Sequence, residues 1–434
     1  MDLIGKPAGG DSHPMRFRST RSTSPTLTLS EAIQTSLAPD GGLYVPESFP
    51  TFKIEDFDRL ESWEEIGEKL LEPFFSGDML RSQVAEICRE AFNFPILLND
   101  IGNDTAVLEL FHGPTAAFKD VGARFLAACV SRLPGRRTVL VATSGDTGGA
   151  VAAAFHEYPE ITVVILFPRN KVSLRQQKQL TCWGDSVRAF AVRGDFDDCQ
   201  RIVKTAFKNK EWAEAHGLLS ANSINQGRIL PQTIYYAAAS LWYLRRKGAQ
   251  PGFIIPTGNL GNAVAAFWAR EMGLPIREIV LATNANTAVP NYFASGTWEP
   301  QPTIATLANA MDVGNPSNME RLLDLHPDVS GLRKIAHAVS VSDEEITGTI
   351  ARGGTSWRQT WCPHTATAVH VRESLSEGHW IIVATAHPAK FDSVVEPLIG
   401  KSLAVPPSLT KLLAKPSHFV EIDPEFEALA EAME

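Results

Sequence analysis

Thr138-Val-Leu-Val-Ala-Thr143-Ser-Gly-Asp-Thr-Gly-Gly149 passes from a β-branched, apolar run into a glycine-rich turn, and Ala150-Val-Ala-Ala-Ala-Phe155 continues it as a helix-like run. A short apolar run bounded by turn residues reads as a buried strand, so the stretch is a strand-loop-helix junction. The pattern recurs at Phe253-Ile-Ile-Pro256, which leads through Thr257-Gly-Asn-Leu-Gly-Asn262 into Ala263-Val-Ala-Ala-Phe-Trp268. Further strand-like runs lie near Ile161, Val187, Ile279 and Ile381, with helical patterns between them. Such alternation is the βαβ signature of parallel sheets covered by helices on both faces, which sets the fold class as α/β. The pattern from Gly227 to Arg246, with Ile229, Leu230, Ile234, Tyr235, Ala238, Leu241 and Trp242, reads as a core helix linking two halves, its tyrosines serving packing.

The junctions also carry chemistry. A helix N-terminus reached through a glycine turn offers backbone N–H groups and hydroxyls, and an anion is its natural guest. Thr143, Ser144, Gly145, Asp146 and Thr147 are therefore candidates for holding a substrate carboxylate or phosphate. Gly258, Asn259, Leu260, Gly261 and Asn262 form a second such loop, whose glycines let the backbone close on a cofactor phosphate. This loop lacks the Gly-Lys-Ser/Thr ending of a Walker A sequence, and its Gly258-Asn-Leu-Gly261 spacing departs from the dinucleotide fingerprint. Either loop alone also reads as a tight α/β connection.

A third motif supplies an amine. Phe111-His-Gly-Pro-Thr-Ala-Ala-Phe-Lys119-Asp120 sets one lysine in a Gly/Pro-containing turn after the apolar run Ala106 to Leu110. Apolar neighbours remove part of a lysine's hydration, lower its pKa and make it a usable nucleophile, so Lys119 is a candidate Schiff-base lysine. In isolation a Phe-Lys-Asp triplet belongs to a surface loop. In a parallel α/β fold, however, ligands lie in the crevice at the carboxyl ends of the strands, where the three motifs can converge.

Residues from about Arg18 to Asp100 are helix-rich. Ser62-Trp-Glu-Glu65 is a capping box before Ile66 to Leu71, and Asp78 to Ala91 reads as an amphipathic helix. The expected organisation is a disordered tail over 1–17, an N-terminal domain over 18–100 and a catalytic region over 101–434 made of two α/β subdomains. With 434 residues, 44% hydrophobic and 21% charged, the chain has the composition of an ordinary globular protein. Its net charge of −9, without a basic run, argues against a nucleic-acid partner. The five cysteines, Cys88, Cys129, Cys182, Cys199 and Cys362, follow neither a CxxC nor a disulfide rhythm, which points to a reducing compartment and no metal. The polar, Gly-rich start has no apolar core of a signal or membrane segment. The arginines Arg16, Arg18 and Arg21 among Ser and Thr give a faint transit-peptide flavour that Asp2 and Asp11 oppose. The cytoplasm is the expected location.

Several blocks, taken in order along the chain, resemble the threonine synthase family: Ala38-Pro-Asp-Gly-Gly-Leu-Tyr-Val-Pro46, Phe111 to Asp120, Ala142 to Gly148, Phe196-Asp-Asp-Cys-Gln200, Ser220-Ala-Asn-Ser-Ile-Asn225, Gly258 to Asn262, Asn309-Ala-Met-Asp-Val313 and Thr385-Ala-His-Pro-Ala-Lys-Phe391. The likeness runs from about Arg18 to the end, far more specific than any one motif. It implies a tryptophan-synthase-β-like fold of the pyridoxal-phosphate fold type II, with the cofactor between two parallel-sheet βαβ subdomains beside a small helix-rich N-terminal domain. It further implies conversion of O-phospho-L-homoserine and water into L-threonine and phosphate, the last step of threonine biosynthesis. By the same resemblance Lys119 is the lysine that bonds the cofactor, and Gly258, Asn259, Leu260, Gly261 and Asn262 hold its phosphate. Thr385 meets the pyridine nitrogen, and Ser144 to Thr147 hold the substrate carboxylate. His364 and His387 fall near the site.

The substrate phosphate needs its own cationic or N–H-rich pocket, for which Asn222, Ser223 and Arg228, with Lys171 and Arg175, are the candidates. The family's stretch Asn-Asp-Thr-Val-Pro-Arg-Phe appears here as Asn286-Thr-Ala-Val-Pro-Asn-Tyr292, and its opening Ser-Thr-Arg-Gly as Ser19-Thr-Arg-Ser22. These departures leave open a related phospholyase that releases a 2-oxo acid; a non-catalytic binding protein on the same scaffold is a further alternative, against which Lys119 and the two glycine loops argue. No oligomeric state follows from the sequence.

Overall fold

The computed structural model describes residues 14–143, 145–184 and 186–434. Thirteen strands among them run in chain order: β1 Phe17–Ser19, β2 Tyr44–Pro46, β3 Leu97–Gly102, β4 Thr105–Glu109, β5 Arg137–Ala142, β6 Ile161–Pro168, β7 Val187–Val192, β8 Leu218–Ser220, β9 Gly252–Pro256, β10 Ile279–Thr283, β11 Ala336–Ser340, β12 Trp380–Ala384 and β13 Val420–Ile422. They form a β1-β2 ribbon, a six-stranded sheet in the order β11-β10-β9-β12-β4-β3, and a five-stranded sheet in the order β13-β7-β6-β5-β8. Every pairing in the two large sheets is parallel except β3 with β4, an antiparallel edge. The protein is α/β with parallel sheets, as the alternation of strand and helix patterns requires.

Side-chain alternation explains why each sheet is covered twice. Phe253, Ile255, Ile381 and Val383 enter the largest apolar core, whereas Ile254, Ile382, Val107 and Val280 point to a second core with Ile346, Ile350 and Val369. In the five-stranded sheet Val139 and Val141 face the largest core, and Leu140, Ala142, Val164 and Leu166 a third. A strand buried on both faces reads as a continuous apolar run, which is what made these segments visible. Each fully buried aliphatic or aromatic side chain contributes roughly 1.5–3 kcal/mol.

Two helix expectations need correction. The expected helix Asp78 to Ala91 is confined to Val84–Ala91, preceded by a 3₁₀ turn at Arg81–Gln83. Asp78 lies outside the helix, its carboxylate accepting from the Ser30 N–H and hydroxyl and from the Leu80 N–H. The continuous helix Gly227 to Arg246 is instead Gln226–Ile229, a 3₁₀ turn Leu230–Gln232 and Thr233–Lys247. Pro231 lacks the N–H an α-helix interior needs, so the break falls there. The capping box at Ser62 and Glu65 opens helix Trp63–Leu71 as its residues specify.

Residues 1–13 of the expected tail lie outside the described residues. Next to them the Met15 N–H donates to Ser76 O and Phe17 begins β1. The arginines of this arm are engaged: Arg18 forks onto Asp324 at 2.7 and 3.0 Å, and Arg21 with Thr20 reaches Glu320. They pin the arm to helix Met319–Leu325. No helix among the described residues is long and apolar enough to cross a membrane.

Candidate active site

The middle of the six-stranded sheet gathers three of the singled-out segments. β4, β12 and β9 are neighbours, and their carboxyl ends lead into the Lys119 loop, Thr385 and the Gly258 loop respectively. The first two are joined main chain to main chain. The Leu110 N–H donates to Ala384 O, the Phe118 N–H to Thr385 O at 2.8 Å and the His387 N–H to Ala116 O, and Ala117 bridges Ala386. To make this turn Ala116 takes φ +55°, a left-handed conformation uncommon for a residue with a side chain. Lys119 then starts helix Lys119–Val130. Behind it Asp120 accepts from the Thr115 N–H and hydroxyl at 2.9 and 2.7 Å, closing the turn from within.

In the second loop Leu260 stands at φ +61° just before helix Gly261–Glu271. A Cβ on Gly258 would meet the Met311 Cα at 2.5 Å, so glycine is required for the Asn309–Met311 turn to press on the loop. Asn262 is fixed by the buried tyrosines of helix Thr233–Lys247: the hydroxyls of Tyr235 and Tyr236 both donate to its Oδ1. Its Nδ2 and the Thr257 Oγ1 are buried and have no partner among the described residues. Asn259 ties the loop to the other half, its amide donating to Ser223 Oγ at 2.7 Å while its Oδ1 accepts from the Ser317 N–H and hydroxyl.

The five-stranded sheet brings up the remaining candidates. After β5, Thr143 Oγ1 accepts from the N–H groups of Gly145 and Gly148, and Gly145 turns at φ +140° into helix Asp146–Phe155. Ser144 lies outside the described residues. Thr147 is half-buried. Asn222, after β8, donates its amide to Ala142 O at 3.0 Å and so bridges the two strand ends. The Ser223 hydroxyl accepts from Asn259 and from Asn318. Arg228 is buried beside Gly122, donates to Ala221 O and keeps an unpartnered Nε among the described residues. Lys171 is exposed, whereas Arg175 pairs with Asp392 at 3.2 Å and donates to Ala389 O.

The charges are organised around Lys119. Loss of hydration, with smaller contributions from Arg228 and Lys390, pushes its amine down to about 8 against the opposing pull of Asp146. Burial would raise the Asp146 carboxyl, yet Lys390, Lys119 and His364 together hold it well below the usual carboxylate range. Lys390 is the main partner, 2.9 Å away, with both side chains almost completely buried. Burial pushes His364 down to about 4, leaving it neutral. Its Nε2 accepts from the Ala310 N–H at 3.1 Å, and its ring lies 4.8 Å from that of Phe391. Next to it, Thr365 Oγ1 accepts from the Thr385 N–H. His387 is held low at about 4 by burial and by His112, and its Nδ1 accepts from the Ala389 N–H.

Sequence reasoning gave no role to Lys390, although it lies within a quoted block, and it read Tyr235 and Tyr236 as packing alone. An isolated lysine carries no pattern, and only the fold shows that its partner is Asp146. It also missed the cluster around Asp312, whose carboxylate accepts from Asn284 and Thr306 and is raised by burial to about 6. Of the departing residues, Asn291 is exposed and donates to Thr287 one turn before it, while Asn286 holds Ile304 through two hydrogen bonds.

An amine with reduced hydration follows β4, a glycine loop whose Asn262 and Thr257 have unused polar atoms follows β9, and Thr385 directly follows β12, the strand between them. This donor set fits a phosphate-bearing aldehyde. A family model described as pyridoxal-phosphate dependent enzyme matches residues 97–385, and the cofactor is pyridoxal phosphate. Models of the threonine synthase N terminus and the threonine synthase C-terminal region match residues 16–92 and 365–433. The chain is 36% identical to threonine synthase from Escherichia coli, covering 96% of this chain and 99% of that protein, and 39% identical to the one from Haemophilus influenzae, covering 93% and 96%. A crystal structure of pyridoxal-phosphate-bound threonine synthase from Brucella melitensis superposes with a TM-score of 0.90 at 34% identity, covering 96% of this chain and 98% of that one. The chain belongs to the threonine synthase family.

Proposed function

We propose that this crevice converts O-phospho-L-homoserine and water into L-threonine and phosphate, with Lys119 as the residue that bonds the cofactor. The observation that carries the assignment of Lys119 is its partly dehydrated amine at the carboxyl end of β4, tied by backbone to the Thr385 segment. In this reading Gly258, Asn259, Leu260, Gly261 and Asn262 hold the cofactor phosphate, with Thr257 adding its hydroxyl. Thr385 faces the ring nitrogen, and a hydroxyl holds a proton there less firmly than a carboxylate would. Bound pyridoxal phosphate supplies an electron sink for carbanionic chemistry at the substrate.

The chain's own groups do the rest. Lys119, neutral at a pH above about 8, is able to take the α proton and to move protons at the β and γ carbons as phosphate leaves Cγ and water adds at Cβ. Thr143, Ser144, Gly145, Asp146 and Thr147 orient the substrate carboxylate at the helix start. Asn222, Ser223 and Arg228 receive its phosphate, Arg228 through the Nε that has no other partner among the described residues. We further read residues 18–100 as an N-terminal unit beside the catalytic region 101–434, its last strand β3 joined to the catalytic sheet through β4, and the cytoplasm as the site of action.

The test is to incubate purified protein with O-phosphohomoserine and identify the organic product, then reduce the holoprotein with borohydride and map the tag. Threonine and a tag on Lys119 are expected. A 2-oxo acid as sole product, or a tag on another lysine, overturns the proposal.

A further inference from the structure

Lys390 has no part in the roles assigned so far, yet it occupies an unusual place. It follows β12 in the six-stranded half, and its Nζ reaches Asp146 Oδ1 at 2.9 Å, at the start of a helix that follows β5 in the five-stranded half. The same Nζ donates to Thr115 O at 2.8 Å, within the loop that carries Lys119. Its side chain is 1% exposed and that of Asp146 5%. Taking two charges out of water is costly, and the pair persists only where geometry and further hydrogen bonds compensate. Here Gln176 Nε2 donates to Asp146 Oδ1 at 3.2 Å, and Gln179 Nε2 donates to the same Thr115 carbonyl that Lys390 uses. A single ammonium therefore joins three segments of the crevice.

We propose that Lys390 is a positioning residue that acts through Asp146: it holds that carboxylate in place across the crevice and balances its charge, so that the Lys119 amine is not left beside an uncompensated anion. The inference rests on the reading of Lys119 as the cofactor-bonding lysine. The charged groups that act on Lys119 are Asp146 on helix Asp146–Phe155, Arg228 on the turn Gln226–Ile229 and Lys390 itself, while His364, on helix Pro363–Ser374, acts on Asp146. Asp120, on the helix that Lys119 starts, is tied to Thr115 and feels Lys390 and Arg124. Asp146 opposes the loss of the Lys119 proton, and Lys390 favours it. Removing Lys390 takes away a repelling cation and unmasks an attracting anion, and both changes make a proton on Lys119 harder to lose.

The experiment is a pH titration of the visible absorption of the holoenzyme. Lys390→Met is expected to move the spectral midpoint upward by about one pH unit, the size expected of a nearby charge. In Lys390→Met/Asp146→Asn the upward shift, measured against Asp146→Asn alone, is expected to shrink to the part that comes from the direct repulsion between Lys390 and Lys119. An unmoved midpoint in folded Lys390→Met overturns the proposal, as does a shift of undiminished size in the double variant. Should the single variant fail to fold, the double variant compared with Asp146→Asn still decides: an upward shift of about one pH unit or more counts against Lys390 acting through Asp146, and a clearly smaller one supports it. Failure of the underlying reading looks different, because the wild-type protein would then carry its borohydride tag on a residue other than Lys119.

Discussion

On the six-stranded side of the crevice the Lys119 loop and the Thr385 segment are joined by backbone hydrogen bonds between Phe118 and Thr385 and between His387 and Ala116, closed by the Ala117–Ala386 bridge. On the five-stranded side the contacts across the crevice run through side chains: Lys390 to Asp146, Arg175 to Asp392, Gln179 to Thr115 O and Asn259 to Ser223. Backbone bonds survive almost any substitution, whereas side-chain bonds depend on the identity of both partners. In the proposed reading the cofactor end is thus built as a fixed frame, and the substrate end is adjustable.

The largest effect that sharpens this contrast comes from the frame's one chemical group. Lys119→Ala is expected to lower turnover by about 10²–10⁴-fold or more while leaving the far-ultraviolet circular dichroism unchanged, since the backbone bonds around it remain. Next comes pH. Burial holds the Lys119 amine down at about 8, so the neutral form that attacks an aldehyde falls about tenfold for each pH unit below that point and levels off above it. Stopped-flow capture of pyridoxal phosphate by the apoprotein should trace that curve, and a midpoint near 10.5, the ordinary lysine value, would show that the dehydration of Lys119 is not real. Smaller again is the brace behind Asn262. Removing both hydroxyls in Tyr235→Phe/Tyr236→Phe deletes the two hydrogen bonds to Asn262, of about 0.5–1.5 kcal/mol each, so cofactor affinity should fall roughly tenfold with the KM for substrate unaltered. The opposite split is expected for Asn222→Ala on the adjustable side: KM rises several-fold, and cofactor affinity stays within error. An Asn222→Ala protein that released its cofactor would break the division between the halves. The smallest effect lies outside both: Ser62→Ala removes the cap of helix Trp63–Leu71 and should cost about 1 kcal/mol of stability in a denaturant titration, with full activity retained.

The two sides also differ in how readable they were in the sequence. β5, β6, β7, β9, β10 and β12 announced themselves because strands buried on both faces must be continuously apolar. β8 and β13 are three-residue edge strands, too short to carry a period, and they were not anticipated. The glycine loops could be found because backbone shape demands glycine at Gly145 and Gly258. The cross-crevice partners could not, because Lys390 and Asp146 are brought together only by the way two separate sheets face each other. Tyr235 and Tyr236 were invisible for a related reason: a helical apolar stripe says that a tyrosine is buried, but not where its hydroxyl ends. Pro231 was visible and was passed over, since the stripe continues on both sides of it.

The position of β12 has a consequence for how the molecule is made. It lies between β9 and β4, so a nascent chain leaving the ribosome has no means of completing the central sheet until residues 380–384 have emerged. Until then β4 and β9 both expose unpaired edges, a state that invites aggregation and calls for shielding during synthesis. A truncation that stops short of Trp380 therefore forfeits far more than a C-terminal segment: it leaves the first 379 residues without the strand that joins their two parts.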